Sequence, residues 1–537
     1  MSAPSMPAEI NPAERSCTAE NTKNDLEKSS ADVLDNGTIE AFGYVPAYRR
    51  VVGALVGFCI VISLTSPLGA IMVAGVYPIT YAGYWGLSWG WILPNIMMIP
   101  QVIAVAELCS SMPVNGAFYW WAAALAPRRA SRAVAFIMGW LNILSLATHL
   151  ASFSYAVGSS LGQTIGYFVE GFVATRPQLM GMAMGTVTLW ASLILLRLEK
   201  VSIVMMTTAA VLLLSCIAFI IALPATHAAQ GLPFAAAADV FGDFINYSAW
   251  PDTGIAVLLS FSCALWVNTL WIAPVYVTEE TQEARVRAPK AIIQSFSCTA
   301  IVGAIICLIF AFCIHDMDAA ALDETGFPLF SLIHRHWGTN ETAAFLLIGS
   351  VFSCLGGSGM LLTYATQIAA FARDGGLPLS SYLVRVHKRT NTPLFAAALL
   401  VLLTYLLLLL SLSANASDIV YSMATLANLL MWCVPITLRL FAEEKWVPGP
   451  FYTGRRLSWW IHFVAAVVTA FFLIARVFPP SGRTLPLNVV VIIGVIVLAA
   501  IVFFFTKEFQ GLDLDALEVW RHEYQQQRLG GSVDRRD

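Results

Sequence analysis

Long apolar runs alternate with short polar segments along almost the whole chain. A helix that crosses a lipid bilayer needs ~20 mostly apolar residues and satisfies its backbone hydrogen bonds internally. The pattern therefore predicts an all-α polytopic membrane protein with twelve transmembrane helices, counted below as spans one to twelve. The spans are predicted near residues 51–77, 84–108, 133–160, 178–196, 201–224, 253–277, 291–314, 343–371, 393–412, 417–438, 459–477 and 485–505.

The distribution of Lys and Arg predicts which way the spans face. An even number of spans places both ends of the chain on one side of the membrane. Basic residues are frequent in the loops on that side, and the opposite loops carry only Arg176, Arg335, Arg476 and Arg483. Since cytosolic loops hold the excess of Lys and Arg, both termini are predicted to be cytosolic.

Span one is interrupted near its middle. Residues 51–64 are helix-like, but the sequence TSPLG at 65–69 contains a proline and a glycine. A proline inside a helix removes a backbone donor and clashes with the preceding turn. Non-helical backbone at this depth is tolerated only where it is buried in protein or lines an aqueous cavity.

Span six carries a similar interruption. Its apolar beginning at 255–266 loses helical character across VNTLWIAP at 267–274. A single break has a simple alternative, a proline kink in a structural helix. Two breaks at corresponding places, five spans apart, favour a transporter built from an inverted repeat, in which the substrate binds at the broken helices.

Short motifs occur in a fixed order along the chain. They are VAELCSSMPVNGAFYW at 105–120, VTEE and APKAI at 277–280 and 288–292, FARDGGLPLS at 371–380, and GPFYTGR at 449–455. Together they resemble the signatures of the amino acid–polyamine–organocation superfamily. The last is similar to a loop of the fungal amino acid/choline permease branch, which includes GABA and choline permeases.

The resemblance implies a five-plus-five inverted repeat, two extra helices, and alternating access for amino acids, amines or choline. It places a transporter domain at 45–506, with repeats at 51–224 and 253–438 and helices eleven and twelve at 459–505. Residues 1–44 and 507–537 are predicted to be cytosolic tails, the first disordered because it is polar. Many relatives have a glycine and a carboxylate where this chain has Leu270 and Ile272, so the ligand stays open.

The break in span one has the chemistry of an anion site. Span one runs from inside to outside, so its outer half begins at the break. The N–H groups of that first turn and the positive end of the helix dipole favour a carboxylate. The predicted substrate-binding residues here are Ser66, Pro67, Leu68, Gly69 and Ala70.

The break in span six has the opposite polarity. Backbone carbonyls there, with those of Ser63 and Leu64 in span one, favour an ammonium group. A zwitterion would use both poles, whereas choline would need only a cationic pole and an aromatic cage made by Trp266 and Trp271. Packing between helices is the alternative role of these tryptophans. The predicted binding residues of span six are Trp266, Asn268, Leu270 and Trp271.

Polar side chains on spans three and eight are further candidates. Ser145, His149 and Ser152 share one face of span three, and an intramembrane histidine is a candidate proton relay. Ser353 and Ser358 lie in a stretch of small residues on span eight and are candidates for a coupling-ion site. The alternatives are hydrogen bonding between helices and a close approach of span one.

Charged residues at the inner ends of the spans predict a cytosolic gate. Glu107, Glu279 and Glu280 lie on the same side of the membrane as Arg49 and other basic residues. Ion pairs among them would close the cytosolic side. Solvated helix ends, which have the same composition, are the alternative.

These features predict a secondary active transporter that takes up a small amino acid or amine such as GABA, coupled to protons and acting as a monomer. Choline or another organocation, or a polyamine, is the alternative substrate, and a nutrient sensor of the same fold is the alternative function. The 12% share of charged residues is about half that of soluble domains. The sequence lacks HExxH, a phosphate-binding glycine loop and a basic face for nucleic acid, so neither an enzyme nor a cofactor or metal site is predicted.

The predicted location is the plasma membrane, with the vacuolar membrane as the alternative. Sequons for N-glycosylation fall on the predicted outer loops and agree with the orientation. They begin at Asn246, Asn340 and Asn415.

Overall fold

The computed structural model describes residues 52–169, 171–196, 198–412, 416–478, 487–506 and 511–530, together with Glu40, Phe42, Tyr44, Arg50 and Phe509. Regular structure in these residues is helical, apart from isolated β-bridges. Arg49, Asn415 and most of the predicted N-terminal tail lie outside the described residues.

The α-helices, numbered in chain order, are α1 (Ala54–Thr65), α2 (Pro67–Ala74), α3 (Val76–Ser111), α4 (Ala117–Leu125), α5 (Arg128–Phe168), α6 (Arg176–Leu193), α7 (Leu198–Ala229), α8 (Ala237–Gly242), α9 (Thr253–Ser260), α10 (Ser262–Val267), α11 (Ala284–Cys313), α12 (Met317–Ala321), α13 (Pro328–Trp337), α14 (Thr339–Arg373), α15 (Ser380–Leu383), α16 (Leu394–Leu408), α17 (Ala416–Phe441), α18 (Arg455–Ala475), α19 (Leu487–Phe505) and α20 (Leu514–Gly530). Short 3₁₀ helices cover Asn268–Val277, Leu409–Leu412 and Glu443–Lys445.

Among the described residues, 11 helical segments are long and apolar enough to cross a membrane. They match every predicted span except the fourth, 178–196. The helix at that place is α6, and polar residues such as Gln178 and Thr186 lower its apolar character. The all-α polytopic fold is confirmed, whereas the fourth span, and with it the total of twelve, and the inverted repeat stay predictions.

The two interrupted spans lie at the centre of the bundle. In the apolar windows of Ala54–Ala74 and Thr253–Val277, 83% of the residues are buried, against 17% in Asn488–Phe505. The irregular backbone of both spans is therefore enclosed by protein, which is the condition for leaving the α-helix at membrane depth. The last span lies at the periphery.

The first interruption is confirmed and is confined to a single residue. Helix α1 ends at Thr65 and α2 begins at Pro67, with Ser66 between them in the left-handed region (φ 39°, ψ 64°). The Ser66 N–H donates to Ile62 O (3.0 Å) and the Ser66 carbonyl accepts from Ala70 N (2.9 Å). Pro67 suits the first position of a helix because that position needs no N–H.

The second interruption differs from the predicted loss of helical character. After α10 the backbone tightens into the 3₁₀ helix Asn268–Val277, with Pro274 inside it. The Thr269 hydroxyl donates to Trp266 O (2.8 Å), and the Asn428 amide donates to Thr269 O (3.3 Å). These partners satisfy carbonyls that the sequence predicted to be free. Fewer carbonyls of this span than predicted therefore remain to attract an ammonium group.

Helix α14 packs very closely against the first span. A Cβ atom added to Gly356 would lie 2.3 Å from the Ser63 carbonyl oxygen, so only glycine fits. The Ser63 hydroxyl donates to Met205 O on α7 (2.8 Å), and the hydroxyls of Ser66 and Ser353 lie 2.6 Å apart. The small residues of span eight therefore serve the close approach to span one.

Helix α20 lies against the end of α4 and the start of α5, on the side predicted to be cytosolic. The Arg521 guanidinium donates to Ala124 O (3.0 Å), and Arg128 pairs with Asp515. The ring of Phe42 packs against the rings of Trp120 and Trp520, with centroids 5.0 and 4.8 Å away. Segments from both ends of the chain thus meet at this face.

Candidate functional site

A cavity of about 650 Å³ lies beside the interruption of the first span. The walls are mostly apolar and also present several serine hydroxyl groups. The lining residues come from α2, α5, α7, α10, α13 and α14, with the α1–α2 junction, and their hydroxyls belong to Ser66, Ser160, Ser215, Ser350 and Ser353.

The predicted residues of the first interruption all line this outer cavity. They are Ser66, Pro67, Leu68, Gly69 and Ala70. Ser66 precedes α2, and residues 67–70 form the first turn of that helix. The Ser66 N–H donates to Ile62 O and Pro67 has no N–H, so the N–H groups without an acceptor in the helix are those of Leu68 and Gly69, and the Leu68 N–H donates to the Cys216 thiol on α7. Gly69 adds no side chain here: its position faces the Ser66 and Ser353 hydroxyls, 3.1 and 3.5 Å from where a Cβ would stand. Backbone polarity is therefore exposed to the cavity.

A smaller cavity of about 240 Å³ lies between the two interruptions. It is lined by Leu64 and Thr65 at the end of α1, by His149 and Ser152 on α5, and by Leu270. Ala70 and Trp266 border both cavities. The two interruptions and α5 thus border two neighbouring cavities, which share Ala70 and Trp266 in their walls.

The two tryptophans of span six lie in different surroundings. The Trp266 indole N–H donates to Ser152 Oγ (3.2 Å), and its ring stands 4.6 Å from that of Tyr421. Trp271 packs against Trp432 (4.9 Å) and Phe296 instead. The 3₁₀ turn directs Trp271 toward α17 and α11, and Trp271 lines neither cavity, so the structure favours the packing alternative for this residue, and the cage with Trp266 stays a prediction.

His149 is held by hydrogen bonds on both ring nitrogens. Nδ1 lies 3.0 Å from Ser145 O, and Nε2 lies 3.1 Å from the Thr269 hydroxyl. Because Ser145 O is a carbonyl and only accepts, Nδ1 carries the proton in the neutral ring. Nε2 is then an acceptor: the single proton of the Thr269 hydroxyl is shared between Nε2 and Trp266 O, and Asn428 Nδ2 stands 3.5 Å from Nε2. The ring therefore links α5 to both α17 and the 3₁₀ helix.

Other predicted polar residues bond within the bundle. The Ser145 hydroxyl donates to Asn428 Oδ1 (3.4 Å), and that of Ser358 donates to Leu355 O (2.7 Å). The Asn268 amide donates to Asn95 on α3. Ser145 and Asn268 connect helices, whereas Ser358 bonds back to its own helix α14. None of the three lines the outer cavity, so the structure favours the packing alternative for them.

The side of the bundle that is predicted to be cytosolic is closed by a cluster of buried charges. The Arg373 guanidinium at the end of α14 pairs with the Glu279 carboxylate (3.2 Å) and covers the Tyr44 ring at 3.8 Å. Tyr44 and Tyr119 donate hydroxyl hydrogen bonds to Asp374 (3.2 and 2.9 Å). Burial raises the pKa of Asp374 to about 6, although Arg373 and the two hydroxyls lower it.

The predicted gate carboxylates have three different partners. Glu279 pairs with Arg373, as described, whereas Glu280 accepts from the Asn115 amide (3.4 Å). Glu107 accepts from the Thr453 backbone and hydroxyl and from the Ser458 hydroxyl, which ties α3 to the 446–454 loop. Glu107 is thus an anchor for that loop and not part of the Glu279 cluster.

The sequence matches known proteins over most of its length. A family model described as amino acid permease matches residues 53–506. The chain belongs to this family. It is therefore a multi-pass integral membrane transporter, and the superfamily resemblance seen in the motifs is confirmed.

Curated relatives of the permease include fungal transporters. The GABA-specific permease of Saccharomyces cerevisiae is 29% identical over 464 residues, which are 84% of this chain and 80% of that protein. An uncharacterised amino-acid permease of Schizosaccharomyces pombe is 28% identical over 445 residues, 82% of this chain and 80% of its own.

A solved structure supports the fold of the permease. The manganese transporter of Eremococcus coleocola, solved with an aromatic bis-isothiourea substituted compound, aligns with a TM-score of 0.50. The alignment covers 84% of this chain and 94% of that one at 13% identity. At this identity the likeness concerns the fold alone.

Several cavity residues of the permease were missed by sequence reasoning. Phe153 on α5 lines both cavities, and Phe330 and Phe345 line the outer one. Phe330 lies on α13, whose apolar residues recur at Leu329, Phe330 and Ile333 in a loop otherwise predicted to be polar. This helical spacing is a signal that would have placed an amphipathic helix over the outer end of the bundle.

The sequons of the permease differ in their accessibility. Asn340 is exposed in the first turn of α14. The Asn246 amide donates to Trp250 O (2.7 Å) and its oxygen accepts from the Ser248 N–H (2.9 Å), so this side chain is engaged in a turn. Glycosylation stays a prediction at both positions.

Proposed function

We propose that the permease takes up a small amino acid such as GABA by alternating access, with proton coupling, at the interruption of the first span. The observation that carries the proposal is the outer cavity, into which the first turn of α2 brings backbone N–H groups beside Gly69. The GABA-specific relative supports the substrate class.

The carboxylate of the substrate binds at the first turn of α2. Backbone N–H groups and the positive end of the α2 dipole lower the free energy of an anion there. The Ser66 and Ser353 hydroxyls, 2.6 Å apart, supply further donors on the same side. No Asp or Glu side chain lines the outer or the smaller cavity among the described residues, so a carboxylate meets no like charge.

The ammonium group of the substrate binds near the end of α1. Leu64 and Thr65 line the smaller cavity, and the last carbonyls of α1 carry the negative end of its dipole. The face of the Trp266 ring adds an attraction for a cation. A substrate whose charges are separated by a short alkyl chain would reach both poles.

Choline and polyamines fit these cavities less well. Choline would leave the N–H groups of α2 without an anion, and Trp271 packs away from the cage that choline would need. A polyamine carries several positive charges, but the described walls of both cavities offer it no carboxylate. These cations are the second candidates.

We infer that His149 takes part in proton coupling. It lies between the two interruptions and lines the smaller cavity, where a proton on Nε2 would change its bond to Thr269 from acceptor to donor. Uptake in this scheme proceeds across the plasma membrane into the cytosol, by a monomer whose transporter domain is 45–506.

Uptake of a labelled panel tests the proposed function. The panel contains GABA, neutral amino acids, choline and spermidine, and it is measured in permease-deficient cells at pH 5 and pH 7. We expect saturable uptake of GABA or another small amino acid that is faster at pH 5. Uptake confined to choline or spermidine would favour the second candidates, and uptake of none of the panel would overturn the proposal.

Replacing Trp266 by Ala should raise the KM for the transported amino acid by about tenfold, since a desolvated cation–π contact contributes about 1–2 kcal/mol. Trp266→Phe is the matched control, because it keeps the aromatic face but loses the hydrogen bond to Ser152. We expect it to raise the KM by about threefold or less. An unchanged KM in Trp266→Ala would assign the residue to packing alone.

A further inference from the structure

A third cavity, named here the cytosolic cavity, lies on the side of the first span that is predicted to be cytosolic. Its volume is about 470 Å³, and Glu280 supplies its carboxyl group. The remaining walls come from the inner half of the first span, from the start of α7, and from the inner part of α14. The residues that α7 and α14 contribute are uncharged: Ser202, Met205, Gly359, Leu362, Thr363 and Thr366.

One tight contact separates this cytosolic cavity from the outer cavity. The outer cavity reaches Ser66 and Ser353, and the cytosolic cavity begins at Ile60 and Gly359. Between them, Gly356 lies against the Ser63 carbonyl with no room for a Cβ atom. A solute can therefore pass to the cytosol only if the inner half of the first span moves away from α14 and α7.

Glu280 is tied to the part of the first span that has to move. The Val52 N–H donates to Glu280 O (2.9 Å), and the Gln282 N–H donates to Val52 O (3.0 Å). These bonds form a short bridge between the segment before α1 and the segment after the 3₁₀ helix. Movement of α1 therefore changes the surroundings of the Glu280 carboxyl.

The carboxyl of Glu280 is almost completely enclosed. Glu280 is 4% exposed, and its side chain accepts a long hydrogen bond from the Asn115 amide (3.4 Å) and another from its own backbone N–H. The charged groups that face it are the neighbouring Glu279 and Arg50, whose guanidinium donates to Thr281 O (2.7 Å). The Arg373 guanidinium is engaged by Glu279.

We propose that Glu280 is the proton-binding group of the cytosolic gate: it holds a proton while α1 covers the cytosolic cavity and releases the proton when α1 moves away. The proposal rests on the alternating access proposed above. On release the carboxyl O–H bond breaks, the proton passes to water in the opened cavity, and the electron pair stays on the carboxylate. Asn115 and Arg50 then stabilise the anion.

The direction of the pH effect follows from the environment of the group. Burial, and then the charge of Glu279, raise the pKa of Glu280 to about 8, against smaller opposing effects of Asn115 and Arg50. In an opened, hydrated cavity the pKa returns toward about 4.3. Low pH therefore favours the closed form, and between these two values the opening constant rises about tenfold per pH unit because opening releases one proton.

Thiol accessibility tests the proposal without any substrate. Thr363, which lines the cytosolic cavity, is replaced by Cys in a full-length chain whose native cysteines are changed to Ala. Its labelling by a membrane-impermeant maleimide is measured from the cytosolic side between pH 6 and pH 8. Dividing each rate by that of the same chain with Glu280→Gln removes the titration of the thiol itself.

We expect this ratio to rise by about tenfold per pH unit, since Glu280→Gln stays neutral and closed at every pH. Glu107→Gln is the matched control, a buried carboxyl at the same face that anchors the 446–454 loop, and its ratio to the parent should stay constant. A ratio for Glu280→Gln that does not change with pH would overturn the proposal.

A second measurement covers the case in which Glu280→Gln does not fold. Exchange of labelled GABA by the unaltered permease in proteoliposomes should accelerate as the internal pH rises from 6 to 8 at constant external pH. Exchange without this slope would also overturn the role of Glu280. If the permease moves no amino acid at all, the proposed function fails, yet the labelling experiment still decides whether Glu280 controls the gate.

Discussion

Uptake should fall by about 100-fold when Gly69 is replaced by Leu, which corresponds to a loss of about 2.7 kcal/mol of transition-state stabilisation. The Cβ of the new side chain would stand 3.1 Å from Ser66 Oγ and 3.5 Å from Ser353 Oγ, and its isobutyl group would extend into the outer cavity. The N–H groups of the first turn of α2 would then be shielded from a substrate carboxylate. Initial uptake rates, normalised to surface expression, measure the effect.

A second glycine provides the matched control. Gly181 lies on α6, and an added Cβ there would meet nothing within 4 Å. Gly181→Leu is therefore expected to keep full uptake, although it makes the same change of residue within a membrane helix. Undiminished transport by Gly69→Leu at normal surface expression would mean that the substrate binds elsewhere.

The interruption of the first span could be predicted because its cause is local. The proline at 67 removes a backbone donor and clashes with the preceding turn, and the glycine at 69 further weakens a helix, so the sequence favours a break at this place. The structure confines the break to Ser66, since a proline is well suited to begin the next helix. Local chemistry thus determined both the existence and the place of this feature.

The shape of span six could not be predicted from the sequence because its cause is distant. The backbone from Asn268 to Val277 stays helical, and the carbonyls at its start are satisfied by Thr269 and by Asn428 from α17. Asn428 is 159 residues away from Thr269, and no local pattern pairs them. The direction of the Trp271 ring follows from the same turn, and its packing against Trp432 could not be predicted for the same reason.

The cytosolic gate illustrates what composition can and cannot predict. The sequence places Glu279, Glu280 and several arginines at the inner ends of the spans, which is enough to expect ion pairs. It does not choose the partners: Arg373, 94 residues from Glu279, is selected by the packing of α14 against the 3₁₀ helix. Only this choice leaves Glu280 without a salt bridge to Arg373 and available for a proton.

Replacing Arg373 by Gln should therefore impair the closed cytosolic gate. The substitution removes the positive partner of Glu279, whose side chain is 2% exposed, and the cation over the Tyr44 ring. Breaking a fully buried pair costs about 3–5 kcal/mol, but Arg373 keeps 19% of its side-chain exposure, so we expect about 2 kcal/mol. The population with a closed cytosolic side should fall about 30-fold relative to the open one.

Initial uptake at low substrate concentration should fall accordingly, since the outward-facing form requires the closed gate. The double variant Glu279→Gln/Arg373→Gln should recover part of the loss, because it no longer buries an unpaired carboxylate. Arg385→Gln is the control: Arg385 lies over the exposed ring of Tyr382 in the cytosolic loop and should be replaceable without effect. Equal uptake by Arg373→Gln and Arg385→Gln would show that the pair with Glu279 does not keep the cytosolic side shut. Closure would then have to come from the packing of Gly356 against Ser63.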